Sequence, residues 1–220
     1  MQKQPRCSIP TYNDKFNVMV IGDDDTGKTS ILERYGNGTF KPGQKSTKNI
    51  EYYTKEFHYE GKLFLFKLWD TVSHEKFMKI SRAFYQKADC IVIVSSINNR
   101  ESFYNISKWV KNIADNIDIN TLPLVLISNK VDLEDERQVG LDEIRQKAEE
   151  LNIEYYETSA MTGYGLNECF NEVFKKVIKG IYKDSINILK EKEQLLLEKD
   201  KEEGSSQSLM GCIIIEYYII

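Results

Sequence analysis

The chain has 220 residues, a formal net charge of -4, 41% hydrophobic residues and 29% charged residues. That balance excludes a wholly disordered chain and a collagen-like one, and the length allows one sizeable core plus a tail. The acidic charge argues against a protein that draws its affinity from nucleic-acid phosphates.

Residues 1–14 are polar, carry Pro5 and Pro10, and read as a flexible leader. Alternating elements follow. Phe16–Ile21 is a short apolar run of strand type, and Lys28–Tyr35 reads as the opening of a helix. Ile50–Tyr59 and Leu63–Trp69 flank Glu60-Gly61, which predicts an antiparallel hairpin. Cys90–Val94 and Leu124–Ile127 are continuous apolar runs, as expected of strands buried on both faces of a parallel sheet. Glu154–Glu157 is expected to be the last strand.

Helical patterns separate these strands. Phe103, Ile106, Trp109, Val110 and Ile113 recur three and four apart within Ser102–Ile113. Leu141–Leu151 and Leu166–Ile178 complete the helices. Strand and helix alternating in this way predict an open α/β sheet with helices on both faces. The composition shifts near Asp184, where Lys and Glu dominate, and residues 184–220 read as a charged helical tail with an apolar end. The cysteines Cys7, Cys90, Cys169 and Cys212 are too sparse for a disulfide framework and form no zinc-type pair. No signal-peptide core and no run of about 20 apolar residues is present. The expected location is cytoplasmic or peripheral to a membrane.

Four short motifs carry chemistry. Gly22-Asp23-Asp24-Asp25-Thr26-Gly27-Lys28-Thr29 fits the phosphate-loop pattern G-x-x-x-x-G-K-[ST] between a predicted strand and a predicted helix. Its backbone N–H groups and helix N-terminus suit a β-phosphate. Lys28 is placed for the β- and γ-phosphates and the Thr29 hydroxyl for Mg²⁺. Asn129-Lys130-Val131-Asp132 follows a buried strand. A carboxylate there accepts from the N1 and 2-amino groups of guanine, a donor pair that adenine lacks. Glu157-Thr158-Ser159-Ala160 follows another strand and offers backbone to the guanine carbonyl. In Trp69-Asp70-Thr71, Asp70 is placed to hold Mg²⁺ through water.

Together these motifs resemble the Ras superfamily of small GTPases, most closely the Rab family, over roughly Lys15 to Ile181. Glu75-Lys76-Phe77, Ala88-Asp89, Glu101-Ser102-Phe103 and Lys108-Trp109 are also similar to Rabs. The resemblance implies a P-loop NTPase fold: a six-stranded, mostly parallel sheet flanked by about five helices, as one G domain over residues 15–183. It implies a guanine-nucleotide switch in vesicle traffic on the cytosolic face of endomembranes. It implies a monomer that meets an exchange factor, a GTPase-activating protein and effectors. The nucleotide contacts it implies are Asp25, Thr26, Gly27, Lys28, Thr29, Ser30, Phe40, Thr47, Ser73, Asn129, Lys130, Asp132, Ser159, Ala160 and Met161. Thr29, Thr47 and Asp70 are the implied Mg²⁺ ligands. Tyr52, Trp69 and Phe84 match the aromatic triad with which Rabs meet effectors, near Thr47.

The chain departs from the family around the γ-phosphate. The family's Asp-x-x-Gly-Gln is here Asp70-Thr71-Val72-Ser73-His74, so His74, with Thr47, is left as the candidate to position the attacking water. Asp24 and Asp25 replace small residues. A carboxylate turned inward there costs on the order of 4 kcal/mol against a charge ~4 Å away, and one turned outward avoids most of it. Met161 stands in place of a lysine that covers guanine, and Thr47-Lys48-Asn49-Ile50-Glu51-Tyr52 alters the effector loop. Cys212-Ile213-Ile214-Ile215 is followed by five more residues and is not read as a prenylation signal. Two further readings stand beside the switch. One is a GTP-binding interaction module with little or no hydrolysis, resting on Asp24, Asp25, Ser73 and His74. The other, an adenine-nucleotide P-loop enzyme, is disfavoured by Asn129–Asp132 and Glu157–Ala160.

Overall fold

The computed structural model describes residues 14–43, 51–71 and 82–181. The chain divides into two compact units, Met1–Val177 and Ile178–Ile220. Only residues 178–181 of the second are described, and they are helical.

In the first unit, the strands are β1 (Asp14–Gly22), β2 (Glu51–Tyr59), β3 (Lys62–Asp70), β4 (Cys90–Ser96), β5 (Leu124–Asn129) and β6 (Glu154–Glu157). They form one sheet in the order β2-β3-β1-β4-β5-β6. β1 pairs parallel with β3 and β4, and β5 with β4 and β6. Only β2 runs antiparallel, against β3. Glu60 and Gly61 close that hairpin at φ 48° and 76°, the doubly left-handed geometry whose twist matches the flanking strands.

The helices are α1 (Lys28–Asn37), α2 (Arg82–Tyr85), α3 (Arg100–Tyr104), α4 (Ile106–Asn116), α5 (Leu141–Leu151) and α6 (residues 166–181). The expected helix over Ser102–Ile113 is therefore two helices, divided at Asn105. The expected α5 coincides with the observed one. Asp14, expected in the leader, already belongs to β1. Residues 1–13 and the tail 184–220 lie outside the described residues.

Both faces of the central strands are covered, which is why β1, β4 and β5 read as unbroken apolar runs. On one face Met19, Ile21, Ile91, Ile93 and Leu126 pack with Phe103, Ile106, Trp109 and Ile113 of α3–α4 and Ile144 of α5. An aromatic stack marks the other. Phe66 of β3 lies 3.8 Å from Phe174, and Tyr35 of α1 lies 4.3 Å from Phe170. Each fully buried side chain of this size is worth roughly 1.5–3 kcal/mol. The result for function is positional. The parallel strands β1, β3, β4, β5 and β6 share one direction, so the segments after Gly22, Asp70, Asn129 and Glu157 emerge at the same edge. The crevice outside the carboxyl ends of such strands is where open α/β sheets bind ligands.

Candidate nucleotide-binding site

The loop between β1 and α1 is held tightly at both ends by glycine. Gly22 has φ 142°, and a Cβ there would stand 2.2 Å from the Val94 carbonyl oxygen of β4. Gly27 has φ 90°, and a Cβ there would stand 2.4 Å from Asn129 Nδ2. No side chain fits at either place, so the loop backbone approaches its neighbours as closely as a phosphate cradle requires.

Lys28 opens α1 and is 4% exposed. Its ammonium folds back over the loop and donates to the carbonyls of Gly22 at 3.0 Å and Asp23 at 2.7 Å. Burial lowers its pKa to about 8, while Asp70, Asp24, Asp23 and Asp25 push the other way. At the next residue, Thr29 Oγ1 donates to Asp70 Oδ2 at 2.7 Å. Asp70 ends β3 and is 1% exposed. A hydroxyl and a carboxylate oxygen side by side form a hard donor set. That set suits Mg²⁺, which keeps several waters and takes its other ligands from substrate phosphate. When bound, the ion would neutralise charge on the phosphates. The chain's own part is to orient the two oxygens and exclude other geometries.

Asp24 is exposed, and the Asp25 side chain is 91% exposed. Asp25 adopts φ 58°, a left-handed conformation that Asp tolerates better than most residues. Its Oδ2 lies 3.1 Å from Lys130 Nζ. The outward alternative is therefore the one realised, and Asp25 pairs with a cation of the second motif.

Asn129 joins the three loops. It is 1% exposed at the end of β5. Its Nδ2 donates to the Thr26 carbonyl at 2.9 Å. Its Oδ1 accepts from Thr158 Oγ1 and from the Ala160 N–H, both at 3.2 Å. Ser159 Oγ donates to Asp132 Oδ1 at 2.5 Å and accepts from the Thr162 N–H at 3.0 Å. Asp132 is thereby held as an acceptor against the Ser159 hydroxyl. Lys130 takes φ 67°, and the Val131 N–H donates to the Thr158 carbonyl at 3.1 Å.

The structure thus brings together Asp25, Thr26, Gly27, Lys28, Thr29, Asp70, Asn129, Lys130, Asp132, Ser159 and Ala160. Ser30 follows Thr29 in the first turn of α1. Phe40 is half-buried in the segment after α1. Met161 is 51% exposed. Thr47, Ser73 and His74 lie outside the described residues. The aromatic triad is contiguous: Tyr52 lies 5.1 Å from Trp69, and Trp69 meets Phe84 edge-on at 6.4 Å.

Two supports went unseen in the sequence. Arg34, in the last turn of α1, donates to the Met161 carbonyl at 2.9 Å and to the Gly38 carbonyl at 3.0 Å. Arg137 donates to Glu157 Oε1 at 2.8 Å, ahead of the Thr158–Ala160 loop. Each partner is remote in sequence or carried on an irregular loop, so no spacing rule marks it.

A mostly parallel sheet with a glycine-closed loop, a buried lysine and a Thr–Asp oxygen pair defines a P-loop nucleotide-binding protein. Comparison with known proteins narrows the class. The Ras family model matches residues 17–179. Ras-related protein RABG3f of Arabidopsis thaliana is 35% identical over 205 residues, covering 90% of this chain and 95% of that protein. Rab7 of Cenchrus ciliaris is 35% identical over 170 residues, or 74% and 82% of the two chains. Rab-15 of Rattus norvegicus is 30% identical over 198 residues, or 89% and 93%. The chain belongs to the Ras family; it is a small GTPase similar to Rab proteins. No helix among the described residues is long and apolar enough to cross a membrane.

The lysine supplies a pH dependence with a definite sign. Its folded pKa lies below its unfolded value. Burying the charge therefore costs the nucleotide-free protein stability below about pH 8. That cost fades as pH rises from about 8 toward the ordinary lysine value. Phosphate needs the charged form. Nucleotide binding is expected to take up more proton through Lys28 above pH 8 than at pH 7. Calorimetry of GDP binding in two buffers of different ionisation enthalpy measures this. Equal proton uptake at both pH values contradicts the assignment.

Proposed function

We propose that the chain is a Rab-type GTP/GDP switch that binds its nucleotide with Mg²⁺, hydrolyses GTP slowly, and acts in membrane traffic at the cytosolic face of endomembranes. The observation that carries the reading is Asn129, which bonds to the phosphate loop through Thr26 and to the base-side loop through Thr158 and Ala160. One side chain sets the distance between phosphate and base sites.

In this reading the backbone from Asp25 to Ser30 surrounds the phosphates, and Lys28 leaves the Gly22 and Asp23 carbonyls for phosphate oxygens. Thr29, Thr47 and Asp70 serve Mg²⁺. Asp132 reads guanine, the Glu157–Ala160 backbone faces its carbonyl, and Phe40, Lys130, Ser159 and Met161 flank base and ribose. GTP holds Thr47 and Ser73 through Mg²⁺ and the γ-phosphate, and its hydrolysis releases them. Effectors and exchange factors read this change near Tyr52, Trp69 and Phe84. The G domain begins with β1 at Asp14, extends to residue 183 and acts as a monomer; residues 184–220 are its tail.

Hydrolysis is expected to be slower than in a typical Rab, since His74 replaces the water-orienting glutamine and Ser73 the pivoting glycine. One lost water-orienting contact is worth roughly 1–3 kcal/mol, or about ten- to a hundredfold in rate. Asp24 and Asp25 contribute less, because both face solvent. The double change Ser73→Gly with His74→Gln should raise single-turnover GTP hydrolysis at least tenfold, and adding Asp24→Ser with Asp25→Gly should add little. Equal rates before and after restoration would mean that His74 already positions the water. GTP binding without measurable turnover, with or without an activating protein, supports the interaction-module alternative instead. Wild-type affinity for ATP equal to that for GTP defeats both.

A further inference from the structure

Asp23 is the first residue after Gly22, and none of the nucleotide contacts described above uses its side chain. Its carboxylate is nevertheless fully engaged. Oδ2 accepts from Asn105 Nδ2 at 2.6 Å, and Oδ1 accepts from Trp109 Nε1 at 2.7 Å. The donors stand four residues apart, and the Trp109 N–H bonds to the Asn105 carbonyl at 3.0 Å, so both side chains leave the same face of the helix. Asn105 is the N-cap residue of α4, yet its side chain makes no cap hydrogen bond. It is directed to the phosphate loop instead, at the point where α3 and α4 part. Trp109 is 4% exposed, and a buried indole N–H requires an acceptor. Asp23 supplies it.

The main chain of the same residue is engaged as well. The Asp23 carbonyl accepts from Lys28 Nζ at 2.7 Å and from Thr26 Oγ1 at 3.0 Å. One residue therefore holds the loop on its inner side through Lys28 and Thr26, and on its outer side through α4.

We propose that Asp23, Asn105 and Trp109 form a positioning clasp that fixes the first peptide of the phosphate loop, and with it the course of the loop backbone, for binding the β-phosphate. The proposal rests on the guanine-nucleotide reading. The carboxylate touches neither base nor phosphate in this scheme. It acts through the loop backbone, so its loss should be felt by phosphates beyond the first.

Electrostatics alone predicts the opposite sign. Removing an anion from the loop lowers repulsion toward phosphate and should tighten GDP. The clasp predicts weaker GDP after Asp23→Ala. Trp109→Phe and Asn105→Ala remove a donor each without changing charge, and Trp109→Phe keeps a ring in the core.

The experiment measures GDP and GMP affinity, with Mg²⁺, for wild type, Asp23→Ala, Asn105→Ala, Trp109→Phe and the Asp23→Ala/Trp109→Phe pair. GMP lacks the β-phosphate and reports folding and base recognition. Asp23→Ala and Trp109→Phe are each expected to weaken GDP about tenfold, with GMP affinity within twofold of wild type. The pair should weaken GDP no more than Asp23→Ala alone, because both remove one interaction. The clasp is overturned by unchanged or tighter GDP binding in Asp23→Ala, by equal losses for GDP and GMP, or by effects that simply add. Wild type that fails to prefer GDP over ADP would overturn the nucleotide reading itself, a separate outcome.

Discussion

Lys28→Ala is expected to weaken GDP and GTP at least a hundredfold. Charge-assisted hydrogen bonds to phosphate are the strongest polar contacts available, at about 1.5–3 kcal/mol each, and in the proposed reading the ammonium serves two phosphates. The fold should survive the change. Alanine leaves the Gly22 and Asp23 carbonyls without this donor, but it also relieves the burial of a charge, and the two effects oppose. Thr29→Ala should weaken Mg²⁺-dependent binding in the same experiment, because it removes one of the two oxygens that meet at 2.7 Å. Lys175→Ala is the control. Lys175 sits on α6 in an exposed ion pair with Glu172, and its loss should leave nucleotide affinity unchanged. Equilibrium titration with a fluorescent GDP analogue distinguishes the three. Equal losses for Lys28→Ala and Lys175→Ala would contradict the phosphate-loop assignment.

What the sequence disclosed and what it concealed divide along physical lines. β1, β4 and β5 were legible because strands covered on both faces must be apolar throughout. Their ends were not. β4 continues through Ser95 and Ser96, and β5 through Ser128 and Asn129, all buried. Polar residues at those positions look like loop until their partners are known. The Ser96 N–H bonds to Ser102 Oγ, and Ser95 Oγ lies 3.3 Å from Ser128 Oγ. The break at Asn105 was hidden because the apolar spacing of Phe103, Ile106, Trp109 and Ile113 runs through it unchanged.

The site shows the same division. The phosphate loop and the Asn129–Asp132 segment are contiguous in sequence, and their residue types state their chemistry. The orientation of Asp24 and Asp25 is not so stated. For Asp25 it depends on Lys130, far along the chain, and on its own left-handed backbone. Asp23 likewise finds its partners 82 and 86 residues away, and Arg34 finds the Met161 carbonyl at a separation of 127. Each is a tertiary contact between a polar residue and a partner that no periodicity predicts.

The largest change in selectivity is expected from Asp132→Asn. An ionised carboxylate only accepts hydrogen bonds, and guanine presents two donors, N1–H and the 2-amino group. The Ser159 hydroxyl holds Asp132 through Oδ1, which fixes the carboxylate plane and the side it presents. Asparagine keeps an oxygen for Ser159 but places an NH₂ where a second acceptor stood. That NH₂ meets a guanine donor, and two donors facing each other in a closed site leave both unsatisfied. Each such buried group costs about 1–3 kcal/mol, so GDP affinity should fall at least a hundredfold. Xanthine carries an oxygen in place of the 2-amino group, so the same NH₂ becomes a matched donor. The variant should therefore bind xanthosine diphosphate more tightly than GDP, reversing the wild-type order. The proposed phosphate contact of Lys28 and Mg²⁺ contact of Thr29 lie apart from the substitution, which isolates the contribution of the base. Competition among GDP, xanthosine diphosphate and ADP on wild type and variant reads the outcome directly. GDP affinity within threefold of wild type in Asp132→Asn would mean that Asp132 does not face the base, and the guanine site would have to be sought elsewhere on the Asn129–Ala160 edge.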